Sequence, residues 1–297
     1  SMENKAFANS ELVGDFVTIS LPGFPMRNGS KPEKCKIHCY MAGEGEPLLL
    51  CHSIAQSMYT YRDLIPELSK HYRVIAFDWP GFGHSDRPIS LNYSMDEMAD
   101  CLLMFLDAIG ISETHAMGFS FGALWMLLAA TKRPESFFKL ITVTPGGVTR
   151  NMPRKLRNME KPFIGPFVRE SYSKAYFVKQ LKTCYLDSTI CDKLVAEQYF
   201  DTCDDFASRQ AIMYSLRNFD EEYALFAAKK LKGEVLVLWG GEDRWRPISD
   251  MEKLRPSLAH GVYYAVRSGG HLVHEEKPAL ISDIVTRYID YEGDSDA

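Results

Sequence analysis

Short apolar runs alternate with amphipathic stretches along most of this chain. Phe16 to Leu21 and Lys36 to Met41 read as two early strands, joined by a loop, Pro22 to Lys34, rich in Pro, Gly, Asn and Ser. Pro47 to His52 and Arg73 to Asp78 are compact apolar runs of the kind buried on both faces of a sheet. Between them, Tyr61 to Tyr72 has helical spacing through Leu64, Ile65 and Leu68. Met95 to Ile109 is an amphipathic helix, with Ser94 and Glu97 spaced as a capping box and Gly110 closing the other end. His115 to Gly118 ends a short strand, Gly122 to Thr131 is an apolar helix, and Leu140 to Thr144 is a strand that stops at Pro145-Gly146-Gly147.

From about Val148 to Lys230 the pattern becomes helical, charged and aromatic, without strand-like runs. Glu234 to Trp239 restores a buried strand. Met251 to Leu258 reads as a helix, Val262 to Val266 as a strand, Ala279 to Tyr291 as a last amphipathic helix, and Glu292 to Ala297 as a frayed acidic tail. Strands alternating with helices imply right-handed crossovers and a mostly parallel sheet. The expected division is a core of residues 1–147 and 231–297 with a helical cap, 148–230, inserted above the sheet. Such sheets bind ligands at the carboxyl ends of their strands.

Composition narrows the class. The chain is 46% hydrophobic and 25% charged, ordinary for a globular protein, and its net charge of -5 disfavours a dedicated nucleic-acid binder. No apolar run approaches the roughly 18 residues of a membrane span. Ser1-Met2-Glu3-Asn4-Lys5 lacks the apolar run of a signal peptide, and Ser1 is read as foreign to the natural chain. The seven cysteines form no CxxC pair, so buried reduced thiols in a cytoplasmic protein are expected.

The chemistry concentrates at three strand ends. Gly118-Phe119-Ser120-Phe121-Gly122 matches G-x-S-x-G, with a strand before it and an apolar helix after it. A serine on so sharp a turn needs neighbours without a Cβ two residues away on each side, and the turn sets Oγ at a helix N-terminus, where a developing anion is favoured. A serine hydroxyl also needs a base. Of eight histidines, His271 in Ser268-Gly269-Gly270-His271 follows the last strand. His274 reads as packing, and His52 as part of an oxyanion loop. The carboxylate that would orient the base is Asp243 in Gly240-Gly241-Glu242-Asp243, with Glu242 the alternative.

With these residues in the order Ser120, Asp243, His271, the chain resembles the α/β-hydrolase superfamily, in its capped, epoxide-hydrolase-like branch. Further marks are Phe77-Asp78-Trp79-Pro80-Gly81-Phe82-Gly83-His84-Ser85-Asp86 and Gly270-His271 followed by Glu275-Glu276-Lys277-Pro278. The resemblance spans nearly all of residues 36–292. It implies an eight-stranded, mostly parallel sheet with helices on both faces and a helical cap, and an oxyanion hole built from the backbone N–H groups of Phe121 and Ile54. Here the family's usual His-Gly is His52-Ser53. Ser120 at the elbow departs from the aspartate of haloalkane dehalogenases and epoxide hydrolases. Leu272, and the segment Ser53-Ile54-Ala55-Gln56, depart from the tryptophan and Gly-rich segment usual in serine-dependent carbon–carbon hydrolases. Phe121 departs from the methionine usual in cofactor-free haloperoxidases.

Phe119, Phe121, Met58, Tyr59 and Trp245 lie next to the catalytic turns and are candidates for an apolar pocket, or for core packing. The cap is basic in its first half, from Arg150 to Lys182, and acidic in its second, from Asp187 to Glu222. That segregation either steers an anionic substrate or reflects two solvated faces. The expected function is a serine esterase acting on a small or medium ester, with no metal, no cofactor, and neither nucleic acid nor membrane as partner. The alternatives are carbon–carbon or lactone cleavage of a small metabolite, and a slow or non-catalytic ligand-binding protein. Oligomeric state is left open.

Overall fold

The computed structural model describes residues 14–23, 27–29, 31–147 and 153–291. Eight strands form one sheet in the order β1-β2-β4-β3-β5-β6-β7-β8. They are β1 (Asp15–Leu21), β2 (Glu33–Ala42), β3 (Pro47–Cys51), β4 (Arg73–Phe77), β5 (Thr114–Phe119), β6 (Phe137–Val143), β7 (Val235–Gly240) and β8 (Gly261–Val266). β1 with β2, and β2 with β4, pair antiparallel; every other pairing is parallel. The sheet matches the expected one, and the acidic tail from Glu292 lies outside the described residues.

Period-two alternation divides the core into two layers. Leu49, Cys51, Ile75, Phe77, Val237 and Trp239 face one apolar cluster, while Leu48, Leu50, Val74, Ala76, Leu236 and Leu238 face the other. Helices α2 (Met95–Ala108) and α3 (Ser120–Lys132) cover the first layer through Met98, Leu102, Phe105 and Trp125. Helices α1 (Leu64–Leu68) and α11 (Pro278–Asp290) cover the second through Leu64, Leu68, Ile281 and Val285. A strand covered on both sides must be apolar at every position, which is why β3 and β4 read as unbroken runs. At the sheet edge, β8 leaves Val262 and Tyr264 exposed.

Between β6 and β7 the described residues form no strand, and their helices are α4 (Arg154–Met159), α5 (Gly165–Ser171), α6 (Lys174–Thr183), α7 (Lys193–Asp201), α8 (Phe206–Arg217) and α9 (Glu221–Ala228), with a 3₁₀ turn at Ser188–Ile190. Aspartates cap three of them, Asp192, Asp205 and Asp220 each accepting a backbone N–H of the first turn. Part of the acidic character of this half of the segment is therefore capping.

Two expected helices are corrected. Tyr61 to Tyr72 is a 3₁₀ turn (Met58–Tyr61) followed by the five-residue α1. Pro66 has no N–H to give the preceding turn, so one continuous helix cannot form. Met251 to Leu258 is instead a 3₁₀ helix, Ile248–Leu254. Pro256 has no N–H to continue the ladder, and the helix ends at Leu254 with Arg255 as its C-cap. The last helical element before α11 is the single turn α10 (Val273–Glu276).

The capping box of α2 is present: Ser94 Oγ accepts the Glu97 N–H at 3.2 Å, and Glu97 accepts the Ser94 N–H at 3.4 Å. Ser94→Ala removes the first of these bonds and costs about 1 kcal/mol. The urea midpoint falls with an unchanged slope, and an unchanged midpoint would show that the cap contributes nothing.

Candidate active site

Ser120 begins α3 directly after β5, and its φ of +50° places a non-glycine residue in the left-handed region. The two flanking glycines are required by contact. A Cβ on Gly118 would lie 2.7 Å from the Ala123 Cα, and one on Gly122 would lie 1.8 Å from the His52 carbonyl oxygen. The Ser120 hydroxyl donates to the Gly146 carbonyl at 3.2 Å, and the Gly146 N–H returns a bond to the Ser120 carbonyl at 3.0 Å.

Asp243 and His271 meet as the sequence order suggests. His271 Nδ1 lies 2.6 Å from Asp243 Oδ2, and both side chains are buried. The second Asp243 oxygen accepts the backbone N–H groups of Trp245 and Arg246, each at 2.8 Å. With Oδ2 facing Nδ1, the proton sits on Nδ1 and Nε2 is left as an acceptor. Trp245 stacks on the His271 ring at 6.2 Å with an 18° interplanar angle, and Phe119 packs on it at 5.0 Å. Glu242 is exposed, and its side chain is not the one that meets His271.

These groups line a cavity of about 140 Å³. Ser53, Ile54, Ala55, Gln56, Phe119, Ser120, Phe121, Trp245, His271 and Leu272 come from the sheet side. Leu156, Tyr172, Tyr176, Phe177, Gln180, Leu181, Cys184, Tyr199, Ile212 and Leu216 come from the helical segment. Phe119, Phe121, Ile54 and Trp245 are therefore where the sequence suggested. Met58 and Tyr59 are a correction. Both pack into the α1-side core, Met58 held by its N–H donating to Asp78 Oδ1 at 2.8 Å, and Tyr59 under the Arg62 guanidinium.

Several important residues were missed as such by the sequence reasoning. Glu275, fully buried, accepts from Thr60 at 2.7 Å, Arg62 at 2.6 Å, Tyr185 at 2.7 Å and also Tyr199. Glu276 accepts the Gly270 N–H at 2.7 Å and the Leu186 N–H at 3.0 Å. The two glutamates thus join the His271 loop and the sheet to the helical segment. Arg246 donates to the Pro145 and Gly147 carbonyls at 3.1 and 2.9 Å, fixing the turn that touches Ser120. The run Glu275-Glu276 is visible in the sequence, but apart from Gly270 the partners named here are some 76 to 215 residues away.

Burial pushes the Glu275 carboxyl up, yet Arg62, His274 and the two tyrosines outweigh it and hold the group below its usual range. Burial lowers both His52 and His274 to about 4. His52 Nε2 accepts the Trp79 N–H at 3.0 Å, so its proton is on Nδ1, 2.6 Å from the Ser53 carbonyl. All seven cysteines are buried free thiols, and burial raises every one, which disfavours a thiolate nucleophile. Among the described residues no His, Cys, Asp and Glu cluster could hold a metal, and no helix is long and apolar enough to cross a membrane.

Part of the basic first half of the helical segment is engaged where it is described. Arg169 pairs with Glu170 and lies over Phe206, and Lys155 lies over Tyr176. Arg154, Arg157 and Lys161 share a second, open cavity with Glu160, Asp220, Glu221 and Glu222. Arg150 lies outside the described residues.

The comparisons with known proteins agree with this fold. A model of the alpha/beta hydrolase fold matches residues 46–165. A 2-hydroxymuconate semialdehyde hydrolase of Pseudomonas sp. (strain CF600) is 35% identical over 262 residues, covering 84% of this chain and 88% of that one. An uncharacterized hydrolase, YugF, of Bacillus subtilis (strain 168) is 28% identical, covering 82% and 90%. Among solved structures, a meta-cleavage product hydrolase from Pseudomonas fluorescens IP01 (CumD) superposes with a TM-score of 0.76 at 22% identity, covering 94% of this chain and 98% of that one. The chain belongs to the α/β-hydrolase superfamily and is a hydrolase.

The buried histidines set a pH dependence. Between about pH 6.5 and 4 the unfolded chain protonates His52 and His274 while the folded protein does not, so stability falls as pH falls. The loss reaches roughly 3 kcal/mol per histidine near pH 4. The depressed Glu275 and Asp78 carboxyls add a further loss only at still lower pH, as each is protonated in the folded state. Urea midpoints at pH 7, 5.5 and 4.5 should decline in step, and a flat series would contradict neutral burial of these rings.

Proposed function

We propose that this protein is a serine hydrolase that cleaves a neutral ester with an apolar acyl or alkyl part. The observation that carries the reading is the convergence of Ser120, on its left-handed elbow, with the Asp243–His271 pair at one cavity. Ser120 Oγ attacks the ester carbonyl, and His271 Nε2 takes its proton. Asp243 holds the imidazole in the required tautomer and stabilises the imidazolium. The Phe121 and Ile54 N–H groups receive the oxyanion, the alcohol leaves with the proton from His271, and water then hydrolyses the acyl-enzyme by the same route. In the resting arrangement Ser120 points to Gly146, so a rotation about its Cα–Cβ bond precedes attack. Catalytic hydrogen bonds often close only around substrate.

The cavity lining supports a neutral substrate. Among the described residues it includes no Lys, Arg, Asp or Glu, and its polar groups are Ser, Gln, Tyr, Cys and His. An ionised carboxylate buried there would lack a counter-charge, which is costly. A second reading, carbon–carbon bond hydrolysis, is favoured by the 35% identity to the 2-hydroxymuconate semialdehyde hydrolase. Its substrate is by name a carboxylate, and the lining offers it only neutral donors.

Two experiments separate the readings. A fluorophosphonate probe labels the wild type and not Ser120→Ala, and p-nitrophenyl esters from acetate to octanoate are turned over only by the wild type. Folded wild-type protein that takes no label would move the non-catalytic alternative to the front. Neutral esters are expected to exceed a dienoate of the muconate semialdehyde type in kcat/KM by at least about 10-fold, the scale of one unfavourable polar burial; the opposite ranking would establish the carbon–carbon reading. Asp243→Asn keeps the fold and lowers kcat on the order of 10⁴-fold through the wrong tautomer. A loss under tenfold would remove Asp243 from the orienting role.

A further inference from the structure

The residue after His52 is a serine, and its side chain lies where oxyanion chemistry would occur. Ser53 is 3% exposed and lines the cavity beside Ser120. Its Oγ accepts the Phe121 N–H at 3.2 Å, the donor assigned above to the oxyanion. Its backbone is pinned on both sides, the N–H donating to Gln56 Oε1 at 3.0 Å and the carbonyl accepting from His52 Nδ1 at 2.6 Å. The hydroxyl hydrogen of Ser53 and the Ile54 N–H have no protein acceptor among the described residues. Gln56 is in turn held by Thr60 and by Tyr199, the tyrosine that donates to Glu275. This backbone is fixed through Gln56 from the sheet side and from the helical segment, while the Ser53 hydroxyl hydrogen is free to turn.

We propose that Ser53 is a further catalytic residue, whose hydroxyl is a third hydrogen-bond donor to the oxyanion. The inference rests on the serine-hydrolase reading. In the resting protein Ser53 Oγ satisfies the otherwise unpartnered Phe121 N–H. When a substrate carbonyl oxygen takes that N–H, Ser53 turns its O–H onto the same oxygen. As the Ser120 Oγ–carbon bond forms, the carbonyl π pair moves to oxygen and the Ser120 proton goes to His271. Ser53 keeps its own proton throughout and only donates a hydrogen bond. That bond is stronger to the charged oxyanion than to the neutral carbonyl, so it lowers the barrier more than it tightens substrate binding.

The test is steady-state kinetics of Ser53→Ala and Ser53→Gly on a short p-nitrophenyl ester, with a trifluoromethyl ketone as oxyanion mimic and the matching amide as ground-state mimic. Both variants should lose roughly 10- to 100-fold in kcat, with KM within about twofold. Ketone affinity should fall by the same factor and amide affinity should hold. An undiminished kcat in the variants would overturn the proposal. So would a Ser53→Gly kcat above wild type, which would make the hydroxyl a plug, and so would equal losses for both inhibitors, which would make it structural. Fluorophosphonate labelling of the wild type is run alongside. Labelled wild type with unaffected variants sinks only this inference, whereas unlabelled wild type sinks the parent reading and this one with it.

Discussion

Everything at this site depends on the turn at Ser120. A left-handed serine is unfavourable by roughly 1–3 kcal/mol and persists only where its surroundings impose it. Here β5 and α3 impose it from both ends, and the two flanking glycines allow backbone to approach where a side chain would collide. The contact at Gly122 matters most. Because it sits against the His52 carbonyl, the elbow and the loop after β3 are in direct backbone contact, and neither can shift alone. His52 also receives Trp79, through both the indole and the backbone N–H, so the loop after β4 is tied to the same point. One steric requirement therefore aligns three strand ends.

The second constraint is the buried carboxylate Glu275. A lone charge at that depth would be prohibitive, but four donors surround it, two from the sheet side and two tyrosines from the helical segment. The segment is thus held by a polar network that is satisfied only when it is docked, while its apolar residues complete the cavity. Breaking such a network leaves Arg62 buried without its partner, which is why this joint resists opening.

How much of this was legible in the sequence follows from the range of the interactions. The strands of the parallel sheet were readable because burial on both faces forces unbroken apolar runs, and α2 because its cap is local, Ser94 to Glu97. The turn residues Ser120, Asp243 and His271 were readable because each must sit at a strand end on a short Gly-rich segment. The extents of α1 and of the 3₁₀ helix near Met251 were misjudged because apolar spacing was allowed to outweigh Pro66 and Pro256. The placement of Met58 and Tyr59 failed for a different reason. Nearness in sequence to a catalytic loop says nothing about which side of the backbone faces the cavity, and the Asp78 hydrogen bond to Met58 turned that segment into the core. The roles of Glu275, Glu276 and Arg246 could not be read at all, since their partners come from distant parts of the chain.

The electrostatic character of the site follows from how its one close anion is held. Asp243 is oriented by two backbone N–H groups rather than by a cation, and the nearby Arg246 guanidinium is occupied by the Pro145 and Gly147 carbonyls and by Glu221. Among the described residues no guanidinium or ammonium group pairs with Asp243, so in the proposed mechanism its charge is available to the imidazolium formed at His271 on proton transfer. The aromatic faces of Trp245 and Phe119 confine that ring and restrict water around it, which strengthens the pair without a further formal charge. A cation lining the cavity would have competed for Asp243 and opposed protonation of His271. An apolar lining with neutral donors is therefore the arrangement that favours the proposed role of this dyad, and it is also the arrangement that favours the proposed neutral ester over a carboxylate.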